Sequence, residues 1–144
     1  MEETMHPNLA ILNRLDISDL DACVDVFADR FVWHYHNPKL PDLEGTYRGL
    51  TGLKRFFSRM SEAGHGTFQV NPVEIRAVGD ELVIVQVCNQ MVLDDGPIEV
   101  DAIVVWRIVD GKIDEAWDIP AVHNVRALPP DQNPAGEMPK GSQR

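Results

Sequence analysis

The chain has 144 residues, 44% of them hydrophobic, and a formal net charge of -10. That length supports one domain with a single sizeable core, and the acidic balance argues against a nucleic-acid partner, which needs a basic face. A mean hydropathy of -0.21 fits a solvated globular protein, and no apolar run approaches the ~20 residues of a membrane span. Met1-Glu2-Glu3-Thr4 has neither the basic nor the apolar region of a secretory leader, so the expectation is a soluble, cytoplasmic domain without a membrane partner. Cys23 and Cys88 stand outside any Cys-x-x-Cys or Cys/His cluster, as small core residues of a reducing compartment do.

In chain order, His6 to Leu15 reads as a first helix with Pro7 in its opening turn. Ser18 followed by Asp21 resembles a capping box for a second helix, with Leu20, Cys23, Val24 and Phe27 as its apolar stripe. Phe31 to His36 reads as a short strand ended by Asn37-Pro38, and a loop leads to Tyr47-Arg48-Gly49. Thr51 caps a third helix that buries Leu53, Phe56, Phe57 and Met60 and stops at Gly64. Strands follow: Phe68 to Ala77, a Gly79-Asp80 turn, and Leu82 to Leu93, whose inward positions Val83, Val85, Val87 and Met91 are interrupted by Asn89. Helices first and antiparallel strands after make an α+β fold rather than a wound parallel sheet. The domain spans residues 1–128, and 129–144 is a Pro/Gly-rich tail without a core of its own.

The most informative segment is the hairpin from Val100 to Pro120. Its first strand is rich in β-branched residues, Asp110-Gly111 turns the chain, and the return strand ends in Trp117-Asp118-Ile119-Pro120. Asp118 therefore lies in a strand built like core, where an isolated charge is too costly to keep. A two-residue Asp110-Gly111 loop puts Asp118 on the face of Ile103, Val105 and Arg107. A three-residue loop, Val109-Asp110-Gly111, shifts the register by one and puts it beside Ala102, Val104 and Ala116. The second is preferred, because two alanines leave empty volume beside the carboxylate. The outer face then carries Ile103, Val105, Trp117 and Ile119, enough apolar surface to call for a homodimer through the sheet. Arg107 is expected on that outer face, paired with Glu115 or Asp114.

Several motifs together resemble a known group: Phe27-Ala28-Asp29, Val32-Trp33-His34, Gly45-Thr46-Tyr47-Arg48-Gly49, and Val105 through Ile113 with its Trp106-Arg107-Ile108 and Asp110-Gly111-Lys112. They are similar to the SnoaL-like branch of the nuclear transport factor 2-like superfamily, over about residues 8 to 122. The resemblance implies a cone-shaped fold, helices packed on a curved, mostly antiparallel sheet with a pocket between. It is specific for fold and weak for function, since the scaffold hosts isomerases, cyclases, dehydratases, epoxide hydrolases and binding modules. The steroid-isomerase branch, itself a standard example of carboxyl tuning, needs a tyrosine and a protonated aspartate where this chain has Ile11 and Val104. The resemblance does support Asp118, at the final-strand position where SnoaL-type cyclases carry an acid/base aspartate.

The candidate site follows. Asp118 is the proton carrier, or alternatively a strand-end carboxylate bonded to backbone. Alternation puts Trp33 and Tyr35 inward and His34 outward, with His36 returned toward the cavity mouth by the Asn37-Pro38 turn. Tyr35, His36 or Asn89 would hold a developing enolate oxygen. Trp33, Phe56, Met60, Phe68, Ala102, Val104 and Ala116 would form the wall, and His123 either covers the mouth or lies on the surface. His34-x-His36 lacks a spaced third ligand, so neither metal nor organic cofactor is expected. The reading is a cofactor-independent acid/base enzyme (isomerase, cyclase, aldol-type or dehydratase-like) for a small apolar carbonyl compound. The rival is a non-catalytic small-molecule-binding domain of the same fold.

Overall fold

A computed structural model describes residues 5–129; the tail read at 129–144 lies almost wholly outside the described residues. Helix α1 spans Pro7–Asn13, with His6 as its cap: the imidazole Nδ1 accepts from the Asn8 backbone N–H at 3.1 Å. Pro7 occupies the first turn, where its missing N–H costs nothing. The expected second helix is instead a 3₁₀ segment, Leu20–Val26, kinked at Cys23. Two causes are visible. Ser18 gives its hydroxyl to Asp16 at 2.6 Å rather than capping, and the buried residues Leu20, Cys23 and Val26 recur every third position, which is the 3₁₀ period. Val24, expected in the stripe, is 54% exposed. Phe27 already belongs to a strand.

Strand β1 runs Phe27–Tyr35, β2 Gly45–Arg48, and helix α2 Gly49–Ala63. Helix α2 begins two residues before the expected Thr51 cap, at Gly49 with φ 70°, a backbone conformation open to glycine at little cost. It buries Leu53, Phe56 and Met60. Gly52 is there for closeness: a Cβ on it would stand 2.9 Å from the Tyr47 carbonyl carbon. The rest is sheet: β3 Gln69–Val78, β4 Leu82–Leu93, β5 Gly96–Val109, β6 Lys112–Pro120, and the short β7 Arg126–Ala127.

The strands form one curved, unclosed sheet in the order β2-β1-β6-β5-β4-β3, with β7 paired on β5. Neighbours are antiparallel except β1 and β6, which run parallel. The α+β architecture read from the sequence is therefore present. Strand β3 forms one edge and is kept from templating another chain by Pro72 and a bulge at Val73. The core lies between the inner sheet face and the helices. Its centre is aromatic: Phe56 meets Trp33, Tyr35, Tyr47 and Phe57 at ring-centroid distances of 4.8–5.3 Å. Tilted and edge-on pairs of this kind contribute roughly 0.5–1.5 kcal/mol each beyond burial.

Candidate active site

The β5–β6 hairpin decides where Asp118 points. Asp110 (φ 53°) and Gly111 (φ 78°) form a two-residue turn, with Val109 paired to Lys112 and Ile108 to Ile113. Such a turn matches the twist of the strands it joins. The preferred three-residue loop is therefore corrected. The register nevertheless slips by one further along, where Arg107 pairs with Glu115 and leaves Asp114 as the extra residue of a bulge. Asp114 turns outward to accept from Arg30 Nε at 2.6 Å. Beyond the bulge Asp118 pairs with Val104, Ala116 with Trp106, and Trp117 with Val105. The inward face is the one expected, reached by a different device.

Asp118 is 8% exposed, and its Oδ1 has no hydrogen-bond partner among the described residues. Burial pushes its carboxyl up to about 7, because the low-dielectric surroundings disfavour the charged form. Its backbone carbonyl accepts from the His36 N–H at 3.1 Å, across the parallel β1–β6 seam. At the same cavity two more buried polar atoms lack a partner among the described residues, the Trp33 indole Nε1 and the Asn89 Oδ1. All three residues line a single cavity of about 510 Å³. Buried groups of this kind are normally satisfied, and three orphans around one cavity mark a surface built to meet something polar.

Aromatic walls from Trp33, Phe57, Phe68 and Trp106 and aliphatic ones from Val85, Val87 and Val104 enclose the space. The mouth lies between the end of α1, at Leu12 and Asn13, and the bulged edge strand around Val73 and Glu74. Of the residues expected at the site, Asp118, Trp33, Asn89, Phe68 and Val104 meet in this cavity.

The others do not. Tyr35 is buried on the correct face, but it packs on Phe56 and its hydroxyl accepts from Asn37 Nδ2 at 2.7 Å. Burial also raises its phenol well above the usual range, so it keeps its proton. His36 is exposed: the Asn37-Pro38 turn does not bring it back to the mouth, because the strand ends one residue earlier and alternation holds to its last position. Phe56 and Met60 are core behind the cavity, and Ala102 and Ala116 are buried beside Asp118 without lining it. His123 is on the surface. Sequence reasoning missed Trp106 and Phe57. Trp106 was legible, since it shares the inward alternation of Val104 on β5; Phe57 sits at the margin of its helix face, where periodicity is ambiguous.

On the outer face, Arg107 pairs with Glu115 at 3.1 Å and with Glu81 at 2.6 Å. Its guanidinium lies 5.1 Å from the Trp117 ring centroid, and His34 stacks on that ring at 5.6 Å. Among the described residues no group of three or more His, Cys, Asp or Glu side chains could hold a metal ion, and no helix is long and apolar enough to cross a membrane.

Residues 9–116 match the family model described as a SnoaL-like domain. Among solved structures, Bal32a from a soil-derived mobile gene cassette superposes with a TM-score of 0.69 at 17% identity, covering 80% of this chain and 89% of that one. A putative SnoaL-like polyketide cyclase from Jannaschia sp. CCS1 gives 0.66 at 13% identity, covering 85% and 92%. TerC, co-crystallised with polyporic acid, gives 0.67 at 20% identity, covering 78% and 90%. No curated protein matches the chain.

Proposed function

We propose, on the premise that this chain belongs to the SnoaL-like domain family, that it is a cofactor-independent acid/base enzyme for a small, mostly apolar carbonyl compound. The observation that carries this reading is Asp118: a carboxyl in an apolar cavity, its Oδ1 unpartnered among the described residues, held by burial at a pKa of about 7. A group poised near neutrality can accept and return a proton within one cycle. The indole N–H of Trp33 is the free donor on the same cavity wall, and it takes the role expected of Tyr35 or His36.

In the proposed cycle the carboxylate of Asp118 removes a proton from the carbon beside the substrate carbonyl. The bonding pair moves to oxygen, and the enolate is held by the Trp33 N–H. Returning the proton at another carbon isomerises the substrate; attack of the enolate on a second carbonyl of the same molecule cyclises it, and Asp118 protonates the new alkoxide. Each route leaves Asp118 as it began. The sheet's outer face, with Ile103 and Ile119 43% and 48% exposed, is proposed to pair with a second copy. The polyketide cyclase likeness of one structural neighbour supports this class of reaction.

The test is a direct titration of the Asp118 carboxyl by carbon NMR. A midpoint near neutrality supports the catalytic reading, and an ordinary aspartate value overturns it in favour of a binding domain in which Asp118 is only an anchor.

A further inference from the structure

The three orphaned polar atoms are not gathered at one point. Trp33 on β1 is opposite Ala116, and Asp118 on β6 is opposite Tyr35, so the two are neighbours across one strand seam. Asn89 is on β4, opposite Val100. The paired rows Asp118–Val104–Val85, then Ala102–Val87, then Val100–Asn89 put it two strands and two rows away. At ~4.8 Å between strands and ~3.4 Å per residue, that is on the order of 15 Å along the sheet. The cavity therefore has two polar ends joined by valine and aromatic walls. The near end offers the indole donor and a carboxyl that can donate or accept; the far end offers the acceptor Asn89 Oδ1.

Charge narrows the occupant further. The lining holds two carboxyls, Asp118 inside and Glu74 at the mouth, and among the described residues no Lys, Arg or His. An anion entering would shed its hydration, meet no countercharge, and face a carboxyl.

We infer that the cavity selects an uncharged, elongated apolar molecule with a carbonyl-type acceptor at one end and a hydroxyl-type donor at the other, the donor being read by Asn89. This rests on the reading of the cavity as the substrate site. A volume of about 510 Å³ falls within the roughly 300–1,000 Å³ of small-molecule pockets, room for a compound of about two rings. Carboxylates, phosphate esters and thioesters of anionic carriers are excluded from the enclosed part of the site. Asn89 is a specificity determinant rather than a catalytic residue, because it stands far from the carbon that Asp118 would reach.

Isothermal titration calorimetry with para-acetylbiphenyl carrying a hydroxyl, a methyl or a carboxylate at the far para position tests this near neutral pH. The hydroxyl compound is expected to bind about tenfold more tightly than the methyl one, the worth of a good buried hydrogen bond, and the carboxylate at least tenfold more weakly than either. Asn89→Leu is expected to remove the hydroxyl preference, so that the hydroxyl and methyl compounds bind the variant within about twofold of one another. A hydroxyl preference absent from the wild type or retained in the variant overturns the role of Asn89. A carboxylate that binds as well as the methyl compound overturns the charge selection, with the Asp118 reading left standing. Failure of all the probes to bind overturns the cavity as the site, and this inference with it. Should Asn89→Leu not fold, the hydroxyl-against-methyl comparison on the wild type decides.

Discussion

Replacing Asp118 by Asn removes one proton-binding site and little volume, so its effect on stability must depend on pH. Burial raises the native carboxyl from its ordinary 3.8 to about 7. The native state thus holds a proton that the unfolded chain releases near pH 4. Stability from the protonated form is fully present below the unfolded pKa and is lost as pH rises through the folded one. A gap of about three pH steps, at about 1.36 kcal/mol each, makes that loss roughly 4 kcal/mol. This is a large part of the ~5–15 kcal/mol that holds a domain together. Asp118→Asn stays neutral throughout and escapes it. Urea denaturation of both proteins at several pH values between about 4 and 8 measures the difference. The variant should be close to the wild type at the acid end and more stable by several kcal/mol above pH 7. A difference that does not change with pH refutes the raised pKa. A variant less stable than the wild type at pH 8 refutes the reasoning more deeply, since it would mean that the charged carboxylate has a stabilising partner.

Two further outcomes follow from packing. Ile119→Glu puts a charge on the outer face proposed to pair with a second copy, and should weaken dimerisation at least about tenfold by leaving that charge buried and unpaired; a wild type that sediments as a monomer at micromolar concentration would remove the dimer altogether. Ile119 is a better probe than Trp117, whose ring also carries Arg107 and His34 and whose loss would disturb the monomer. Gly52→Ala should lower stability by about 1–3 kcal/mol through overpacking against the Tyr47 backbone, although alanine is the better helix former; a raised melting temperature would show that α2 and β2 separate more easily than their 2.9 Å approach implies.

The strands between Thr67 and Pro120 were legible because alternation and turn chemistry agree, whereas β2 was read as loop and the start of β1 as helix. Leu82 to Leu93 has the same bounds in the structure as in the sequence pattern, and of the inward set Val83, Val85, Val87, Asn89 and Met91 all are buried except Val85, which is half-buried where it lines the cavity. The 3₁₀ segment was not legible as such, because Leu20, Cys23 and Val26 fit a helical stripe loosely and only Asp16's capture of Ser18 removes the cap. Of the cavity lining, Asp118, Trp33, Asn89, Phe68 and Val104 were legible. It misled at Tyr35 and His36, where residue type suggested chemistry. A tyrosine one position from a turn will take the nearest local partner, here Asn37, and a histidine past the last strand residue is no longer held to either face.

The bulge at Asp114 carries the most consequence for the least sequence signal. With the Asp110-Gly111 turn alone, every residue after it would keep the first register, and Asp118 would stand beside Ile103 on the outer face. Trp117 and Ile119 would then turn inward, filling the volume that the cavity now occupies. One unpaired residue exchanges those sets: Trp117 goes out to lie between Arg107 and His34, and the carboxyl goes in. Asp114 can occupy the unpaired position because Arg30 on β1 meets its side chain outside the sheet, so the ladder loses a pair without burying an unsatisfied charge. The site thus depends on where the register slips as much as on which residue is aspartate. The same hairpin without the bulge would pack Trp117 and Ile119 inward and leave no acid in the cavity.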